Sequence, residues 1–199
     1  MSNKEMDQNI EHRGRIYLNQ VLNGHRPAYR HFIRLYERLV FSIAARLISC
    51  SEDRDDICQD VFIKAYQNLE AFRGDSKIST WLGKITYNTC INYLRRKKLA
   101  GARNGISQKT IDEFESLEMA PDQSMEKQDI AARLKDEILR LPPQLQTALT
   151  LFHMQGMKYD EIAEIMGLPE GTVKSHLYRA RQMLKKRLLE KYQEEELML

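Results

Sequence analysis

The chain has 199 residues, of which 42% are hydrophobic and 30% are charged, so its composition excludes a wholly disordered polypeptide and its length suffices for one or two small domains. The polar opening segment and the lack of any apolar run of membrane-spanning length exclude a signal peptide and a transmembrane helix, so we expect a cytoplasmic protein. The net charge is only +3, so binding to nucleic acid must depend on where the basic residues lie rather than on bulk charge.

The first part of the chain predicts a bundle of helices after a polar segment, residues 1–14, that we expect to be disordered. Apolar periodicity predicts helices over about 15–23 and 27–47, the second with a proline at its first position. A third helix is predicted to begin at Ser51, where acidic residues in the first turn complement the helix dipole. The positions expected to face the core of these helices are Phe32, Leu35, Leu39, Ile43, Leu47, Ile57, Val61, Ala65 and Leu69.

A fourth helix, α4, is predicted over about 80–98, after a loop that contains Gly74, Asp75 and Ser76. One side of this helix is broadly apolar. Beside it runs a strip, called here the α4 strip, with one aromatic residue, two amides and three cations: Lys77, Trp81, Lys84, Asn88, Asn92 and Arg95. The strip contains no acidic residue, so we expect it to lack salt bridges. Such a composition suits stacking on bases and holding phosphates of single-stranded DNA, although Trp81 could instead pack at the edge of the core.

The middle of the chain changes character and predicts a flexible linker. Residues 100–128 lack helical periodicity, contain Gly101, Gly105 and Pro121, and are predominantly acidic in their second half. Basic residues gather instead on either side of this segment, at 95–98 and 174–191. Two basic patches joined by an acidic connector indicate two separate nucleic-acid contacts.

A second helical domain is predicted over 129–192, followed by an acidic and apolar tail at 193–199. Ile130, Leu134, Ile138 and Leu141 form one apolar stripe, and Pro142-Pro143 ends that helix. The next helix has an apolar face that consists of Leu145, Ala148, Leu149 and Phe152.

The segment YDEIAEIMGLPEGTVKSHLYRARQMLKK, residues 159–186, predicts a helix-turn-helix. Tyr159, Ile162, Ala163 and Met166 form the apolar face of a short helix, and Gly167 suits the left-handed residue that ends it. In the following helix the apolar residues recur every three or four positions, while basic and polar residues occupy the other side. The apolar stripe consists of Val173, Leu177, Ala180, Leu184 and Leu188. A helix of this kind fits the DNA major groove.

No strand pattern occurs, so the predicted fold is all-α, with two small helical domains joined by a flexible acidic linker. The three cysteines, Cys50, Cys58 and Cys90, are widely spaced and form no CxxC or Cys/His motif. We therefore expect free thiols in a reducing compartment and neither a metal site nor a cofactor.

Three stretches in this order resemble a bacterial RNA polymerase sigma factor of the extracytoplasmic-function group. DDICQDVFIKAY is similar to the family's core-polymerase-binding helix, and FRGDSKISTWLGKITYNTCINYLRR is similar to its −10 segment. The stretch LPPQLQTALTLFHMQGMKYDEIAEIMGLPEGTVKSHLYRARQMLKKRL is similar to its −35 domain. The resemblance implies two domains, region 2 over 15–99 and region 4 over 129–192.

The resemblance implies a promoter-specificity subunit and not an enzyme. Its partners would be the polymerase core, through the β′ clamp and the β flap, promoter DNA and an anti-sigma factor, with no small-molecule substrate. Asp56, Gln59 and Asp60 would contact the β′ clamp, although they could be an ordinary solvated face.

The resemblance also assigns the DNA contacts. In this family the non-template strand of the −10 element is captured with one base flipped out of the stack. The residues that would contact this element are Gly74, Asp75, Ser76, Lys77, Trp81, Lys84, Asn88, Asn92, Arg95 and Arg96. Residues for the −35 element would be Thr172, Lys174, Ser175, Tyr178, Arg179 and Arg181. Two positions depart from the family pattern, since His176 stands where a basic residue is common and Phe152 where relatives can carry an arginine.

Two other classes of function compete with this interpretation. A stand-alone helix-turn-helix regulator explains the last domain equally well, but not the α4 strip, and it predicts tight duplex binding without polymerase. An enzyme acting on nucleic acid would need clustered carboxylates for a metal or a glycine-rich phosphate loop. Asp55, Asp56 and Asp60 are the only tight acidic cluster on a helix, and they lie mostly on its outer side.

Overall fold

The computed structural model describes residues 3–103, 134 and 136–196. Its helices are α1 (Asn3–Leu22), α2 (Ala28–Leu47), α3 (Ser51–Gln67), α4 (Ile78–Arg103), α5 (Pro143–His153), α6 (Tyr159–Met166) and α7 (Glu170–Glu196). Residues 136–139 are also helical. No strand occurs in these parts of the chain, so the predicted all-α fold is confirmed. Most of the predicted linker and the expected start of the second domain lie outside the described residues.

The expectation of a disordered segment over 1–14 is wrong from Asn3 onward, because α1 begins there. Three contacts hold this segment to the rest of the bundle. Ile10 packs at the edge of the core, and Gly14 is so close to Tyr36 that a Cβ atom at position 14 would clash with the Tyr36 hydroxyl oxygen. The Glu11 carboxylate accepts hydrogen bonds from the first backbone N–H groups of α4. The polar composition of the segment concealed these few inward positions.

Helices α1 to α4 pack around an apolar core, and α2 and α4 each contact all three of the other helices. Phe32, Ile43, Val61 and Leu82 are fully buried in it. The predicted apolar positions of α2 and α3 are buried except for Leu35, which is half-buried. The periodicity of the sequence therefore located this core correctly.

Helices α5 to α7 form the second bundle, and the predicted pair of helices joined by a turn at Gly167 is confirmed. Gly167 ends α6 in the left-handed conformation, with φ of 64°. The stripe of α7 is buried from Val173 to Leu184, and Leu188 is half-buried. Gln146 lies fully inside this bundle, where its side-chain amide donates hydrogen bonds to the carbonyls of Leu139 and Leu141.

The two bundles are in direct contact, and their buried apolar side chains form one continuous cluster. Helix α6 packs against α4, and α5 packs against α2. Ile165 of α6 is 1% exposed, although it lies outside the predicted apolar face of that helix. Its side chain meets Gly83 of α4, where a Cβ atom would lie 2.8 Å from the Ile165 Cδ1 atom.

Candidate nucleic-acid interfaces and partner surface

The outer side of α7 presents the residues predicted to contact the −35 element. Lys174, Ser175, Tyr178, Arg179 and Arg181 are exposed, and Tyr178 retains 64% of its accessible surface. Thr172, in the first turn of the helix, is half-buried. The Ser175 hydroxyl donates to the Gly171 carbonyl at 2.9 Å. A buried stripe on one side and these polar groups on the other give α7 the amphipathic form of a recognition helix.

An aromatic pair lies beneath two of these cations. Phe152 at the end of α5 and Tyr159 at the start of α6 are stacked, with ring centroids 5.1 Å apart and planes within 6°. The guanidinium carbon of Arg181 lies 5.5 Å from the centroid of the Phe152 ring, and the Nζ atom of Lys174 lies 5.5 Å from that of Tyr159. Each distance is within the range of a cation–π interaction. The departure noted at Phe152 thus supplies a surface on which Arg181 rests.

Two further contacts set the charge of this face. Lys174 also forms a salt bridge with Glu170, 2.7 Å long, and Arg181 lies 3.3 Å from the Nε2 atom of His153. Burial and the neighbouring Arg181 lower the pKa of His153. Burial and Arg179 likewise lower the pKa of His176. Both imidazoles are therefore neutral at neutral pH, so the positive charge of the face comes from lysine and arginine.

The expectation that the α4 strip lacks salt bridges is wrong. Lys77 pairs with Glu161 at 2.7 Å, and Lys84 pairs with Glu164 at 3.7 Å. Both acids belong to α6, so the composition of the strip itself could not reveal them. The half of the strip nearest the start of α4 therefore faces the helix-turn-helix domain.

Trp81 is half-buried and packs on Phe72, with ring centroids 4.9 Å apart. This places it at the edge of the core, as the simpler of the two expectations had it, with part of its ring still accessible. The other half of the strip is open, since Asn88, Asn92 and Arg95 are exposed, as is the adjacent Arg96.

The loop before α4 is held in a defined conformation. Gly74 has φ of 78°, a backbone conformation that suits glycine. Asp75 is exposed and Ser76 is half-buried. Because the carboxylate of Glu11 binds the backbone N–H groups of Ile78 and Ser79, both at 2.9 Å, α1 fixes the point at which this loop enters α4.

Part of the basic run that follows the strip, residues 95–98, forms contacts within the first bundle. The Nζ atom of Lys97 lies 3.0 Å from Asp53 at the start of α3, and the hydroxyl of Tyr93 donates to the same carboxylate. The hydrogen bonds from Tyr93 and Lys97 lower the pKa of Asp53, so it is ionised at neutral pH. Lys97 therefore holds α3 to α4, whereas Arg95 and Arg96 face outward.

Helix α3 carries the residues predicted to contact the polymerase core. Asp56, Gln59 and Asp60 are all exposed, on the side opposite the buried Ile57, Val61 and Ala65. Ile63 lies one turn further along the same side and is 54% exposed. Ile63 was not among the residues predicted from the sequence, although its position three residues after Asp60 on the outer face follows from the helical period.

Within the described residues, no group of three or more histidine, cysteine, aspartate or glutamate side chains is placed to hold a metal ion. The three cysteines are free; burial raises the pKa of Cys58 to about 11 and that of Cys90 to about 12, so both are protonated thiols. None of the described helices combines the length and apolar character needed to cross a bilayer.

Comparison with known proteins matches both bundles. Residues 32–99 match the family described as Sigma-70 region 2, and residues 131–184 match that described as Sigma-70, region 4. The chain is 33% identical over 196 residues to the RNA polymerase sigma-H factor of Pseudomonas aeruginosa. This alignment covers 94% of this chain and 96% of that protein. It is 34% identical over 174 residues to the ECF RNA polymerase sigma-E factor of Escherichia coli, covering 85% and 91% of the two chains.

A solved structure resembles the fold across both bundles. The sigma factor RpoE of Bartonella quintana, crystallised in complex with the anti-sigma factor NepR, superposes with a TM-score of 0.64 at 25% sequence identity. The match covers 80% of this chain and 96% of the other.

Proposed function

The chain belongs to the sigma-70 family as an RNA polymerase sigma factor of the extracytoplasmic-function group, and we propose that three of its exposed helical surfaces perform the three tasks of such a factor. These tasks are binding the polymerase core, recognising the −35 element and capturing the −10 element during promoter opening. The observation that carries this assignment is the order of the two matched domains together with the exposed basic face of α7.

The exposed face of α7 reads the −35 element in the major groove. Lys174, Arg179 and Arg181 offer the charged donors that pair with guanine or phosphate, and Ser175 and Tyr178 add hydroxyl groups. Thr172 near the helix start suits a phosphate contact, because the first N–H groups of a helix and a nearby hydroxyl both attract anions.

The loop from Gly74 and the α4 strip capture the −10 element. Extruding a base from the duplex costs a few kcal/mol, so the captured strand must gain stacking and hydrogen bonds in exchange. The accessible part of Trp81 and the amides of Asn88 and Asn92 are suited to exposed bases. The outward-facing Arg95 and Arg96 suit the phosphates, which position the strand without specifying its sequence.

The outer face of α3 binds the polymerase core. Asp56, Gln59 and Asp60 would contact basic groups of the β′ clamp, and Ile63 would contribute apolar contact area beside them. A mixed face of this kind is typical of partner surfaces, where an apolar centre is surrounded by charged groups that steer association. The helix-turn-helix domain would rest on the β flap.

Regulation by an anti-sigma factor is part of the proposal, because a relative of similar fold was crystallised with one. We expect the protein to act in the cytoplasm as a binding subunit that catalyses no reaction itself. A stand-alone regulator is not favoured, since it would have no use for a matched region 2 domain.

This function is tested by run-off transcription with bacterial core polymerase. The assay uses a promoter library and is performed with and without the protein. Initiation at a defined set of promoters only when the protein is present is the expected result. A variant with Asp56→Lys and Asp60→Lys should lose initiation, while a variant with Glu190→Lys, a charge change near the far end of α7, should not. Tight duplex binding by the protein alone, without any initiation, would instead identify a stand-alone regulator.

A further inference from the structure

The first residue of α7 is an acid on a face that is otherwise basic. Glu170 begins the helix, and the next acidic residue in the sequence is Glu190. Glu170 shares one side of α7 with three residues predicted to contact the −35 element, because successive members of this row are three or four positions apart. These residues, Lys174, Tyr178 and Arg181, are exposed, as is Glu170. The recognition face therefore has a carboxylate at the end where the helix starts.

A carboxylate on this face is costly unless it has a partner in the DNA complex. The phosphates of duplex DNA carry dense negative charge, so an unpaired acid beside them weakens binding to every sequence. Helix stability alone would also favour Glu170, since an acid in the first turn contributes about 0.3–1 kcal/mol. The two roles make different predictions, because only a contact with a base depends on sequence.

The structure gives the carboxylate a defined neighbour. The Oε1 atom of Glu170 lies 2.7 Å from the Nζ atom of Lys174, and both side chains are about half exposed. The same Nζ atom lies 5.5 Å from the centroid of the Tyr159 ring, so the lysine is held from two directions. A hydrogen-bond acceptor and a donor are thus presented side by side on the exposed face of α7.

This pair of groups is complementary to the major-groove edge of a G·C base pair. Guanine offers the acceptors N7 and O6, and cytosine offers the donor N4 next to them. The O6 and N4 atoms are hydrogen-bonded to each other, so they lie about 2.9 Å apart, close to the separation of the lysine and glutamate groups. In an A·T pair the purine offers only one acceptor, N7, and its neighbour is a donor. A G·C pair can therefore bind both groups while the salt bridge between them stays intact.

We infer that Glu170 is a specificity-determining residue of the recognition helix, which accepts a hydrogen bond from the N4 amino group of a cytosine while Lys174 binds the guanine of the same base pair. The inference rests on the proposed function, because it assumes that α7 enters the major groove of the −35 element. It adds to that function a residue that selects one base pair and a reason for an acid on a DNA-binding face.

The test uses the full chain assembled with core polymerase, at concentrations below saturation. Run-off transcription is measured on promoters in which each base pair of the −35 element is replaced in turn. The wild type should lose about fivefold or more when one particular G·C pair is replaced. Glu170→Ala and Lys174→Ala should both relax discrimination at that same pair. Glu190→Ala, which removes a second lysine–glutamate pair of α7, Lys186–Glu190, is the matched control and should discriminate as the wild type does.

A modified base tests the proposed hydrogen bond directly. N4-methylcytosine still pairs with guanine, but its methyl group replaces the amino hydrogen that faces the major groove. At the selected pair it should reduce initiation by the wild type about fivefold and leave Glu170→Ala unaffected. Glu170→Gln, which keeps an acceptor oxygen without the charge, should retain part of the discrimination. Thermal unfolding followed by circular dichroism verifies that each variant is folded, and Glu170→Gln replaces Glu170→Ala if the latter is not.

Two results would overturn the inference and leave the proposed function intact. Initiation that rises equally on all promoters with Glu170→Ala would make Glu170 only a repulsive charge. Initiation that falls equally on all of them, with a lower unfolding midpoint, would make it only a helix-stabilising acid. A wild-type protein that does not initiate with core polymerase at all would instead overturn the proposed function itself.

Discussion

Phe152 restrains the side chain of Arg181, a residue that we propose binds the −35 element. It stacks on Tyr159, and the guanidinium of Arg181 lies over its ring. Arg181 also has His153 beside it, which holds it from a second direction. A long side chain restrained in this way loses less conformational freedom when it binds.

Phe152→Leu should therefore weaken binding to −35 duplex DNA while the fold is retained. An exposed cation–π interaction contributes about 0.5–1 kcal/mol, so we expect about two- to fivefold weaker binding. The measurement is a fluorescence anisotropy titration with a −35 duplex from a promoter identified in the run-off library. Arg181→Ala should lose more, about 1–3 kcal/mol, if it pairs with a base. Phe41→Leu, an exposed aromatic residue of α2, is the control, and a loss of equal size there would contradict the role of Phe152.

The turn between α6 and α7 depends on backbone conformation rather than on packing. A Cβ atom would meet nothing within 4 Å at either Gly167 or Gly171. The two positions differ only in conformation, because Gly167 has φ of 64° and Gly171 lies within helix α7.

Substituting alanine at each position separates the two effects. Gly167→Ala should destabilise the protein by about 1–2 kcal/mol, the cost of a left-handed residue with a side chain. Gly171→Ala should stabilise it by about 0.5–1 kcal/mol, because alanine is the better helix former. Thermal unfolding measures both, and the turn would not have the conformation described if the two variants changed the midpoint in the same direction.

Helix α1 acts on α4 through the carboxylate of Glu11, which satisfies N–H groups that begin the helix. Glu11→Ala removes this cap and should cost about 1–2 kcal/mol, which corresponds to about 2–8 °C in the unfolding midpoint of a chain of this size. It should also impair initiation, because the loop that contains Gly74 loses its anchor. Arg13→Ala, two residues further along α1, should change neither measurement, and a midpoint for Glu11→Ala equal to that of Arg13→Ala would exclude the cap.

Local periodicity predicted the helices and the buried stripes of α2, α3 and α7, because each stripe repeats within a single helix. It failed where the partner is distant in the sequence. The acids that pair with Lys77 and Lys84 are about eighty residues away, and Ile165 is buried where Gly83 of another helix lies against it. The N-terminal part of α1 was missed for the same reason, since its few inward residues serve contacts made elsewhere.

The same distinction between contacts within one helix and contacts between helices applies to the candidate site. Residues that act from the exposed face of one helix, such as Arg181, Asn88 and Asp56, could be selected from the sequence, and the structure places them on exposed faces. The aromatic pair of Phe152 and Tyr159, which forms between two helices, could not be selected. Whether each selected residue binds its partner remains the prediction that the transcription and binding measurements test.

At the scale of the whole molecule, the contact between the bundles should respond to salt. Charges in partly exposed pairs are screened over about 10 Å at 0.1 M ionic strength. The wild type at low salt should have a radius of gyration near that of a compact chain of this length, roughly 16 Å, and a larger value at about 0.5 M salt. Small-angle X-ray scattering measures both values.

Glu164→Lys should be expanded already at low salt, and Glu190→Lys should follow the wild type. A radius of gyration that is the same for all three proteins at both salt concentrations would show that the salt bridges to α6 do not hold the bundles together.

The joining of α4 and α6 in one polypeptide has a quantitative consequence for how the protein responds to its own abundance. A separate inhibitor can be saturated, so its effect disappears once the factor is in excess. An intramolecular contact has an effective concentration that is fixed by the chain, so the fraction of molecules in which α4 and α6 are in contact is the same at every level of expression. The contact between α4 and α6 therefore has the same occupancy at low and at high abundance of the protein, unlike a contact with a separate inhibitor.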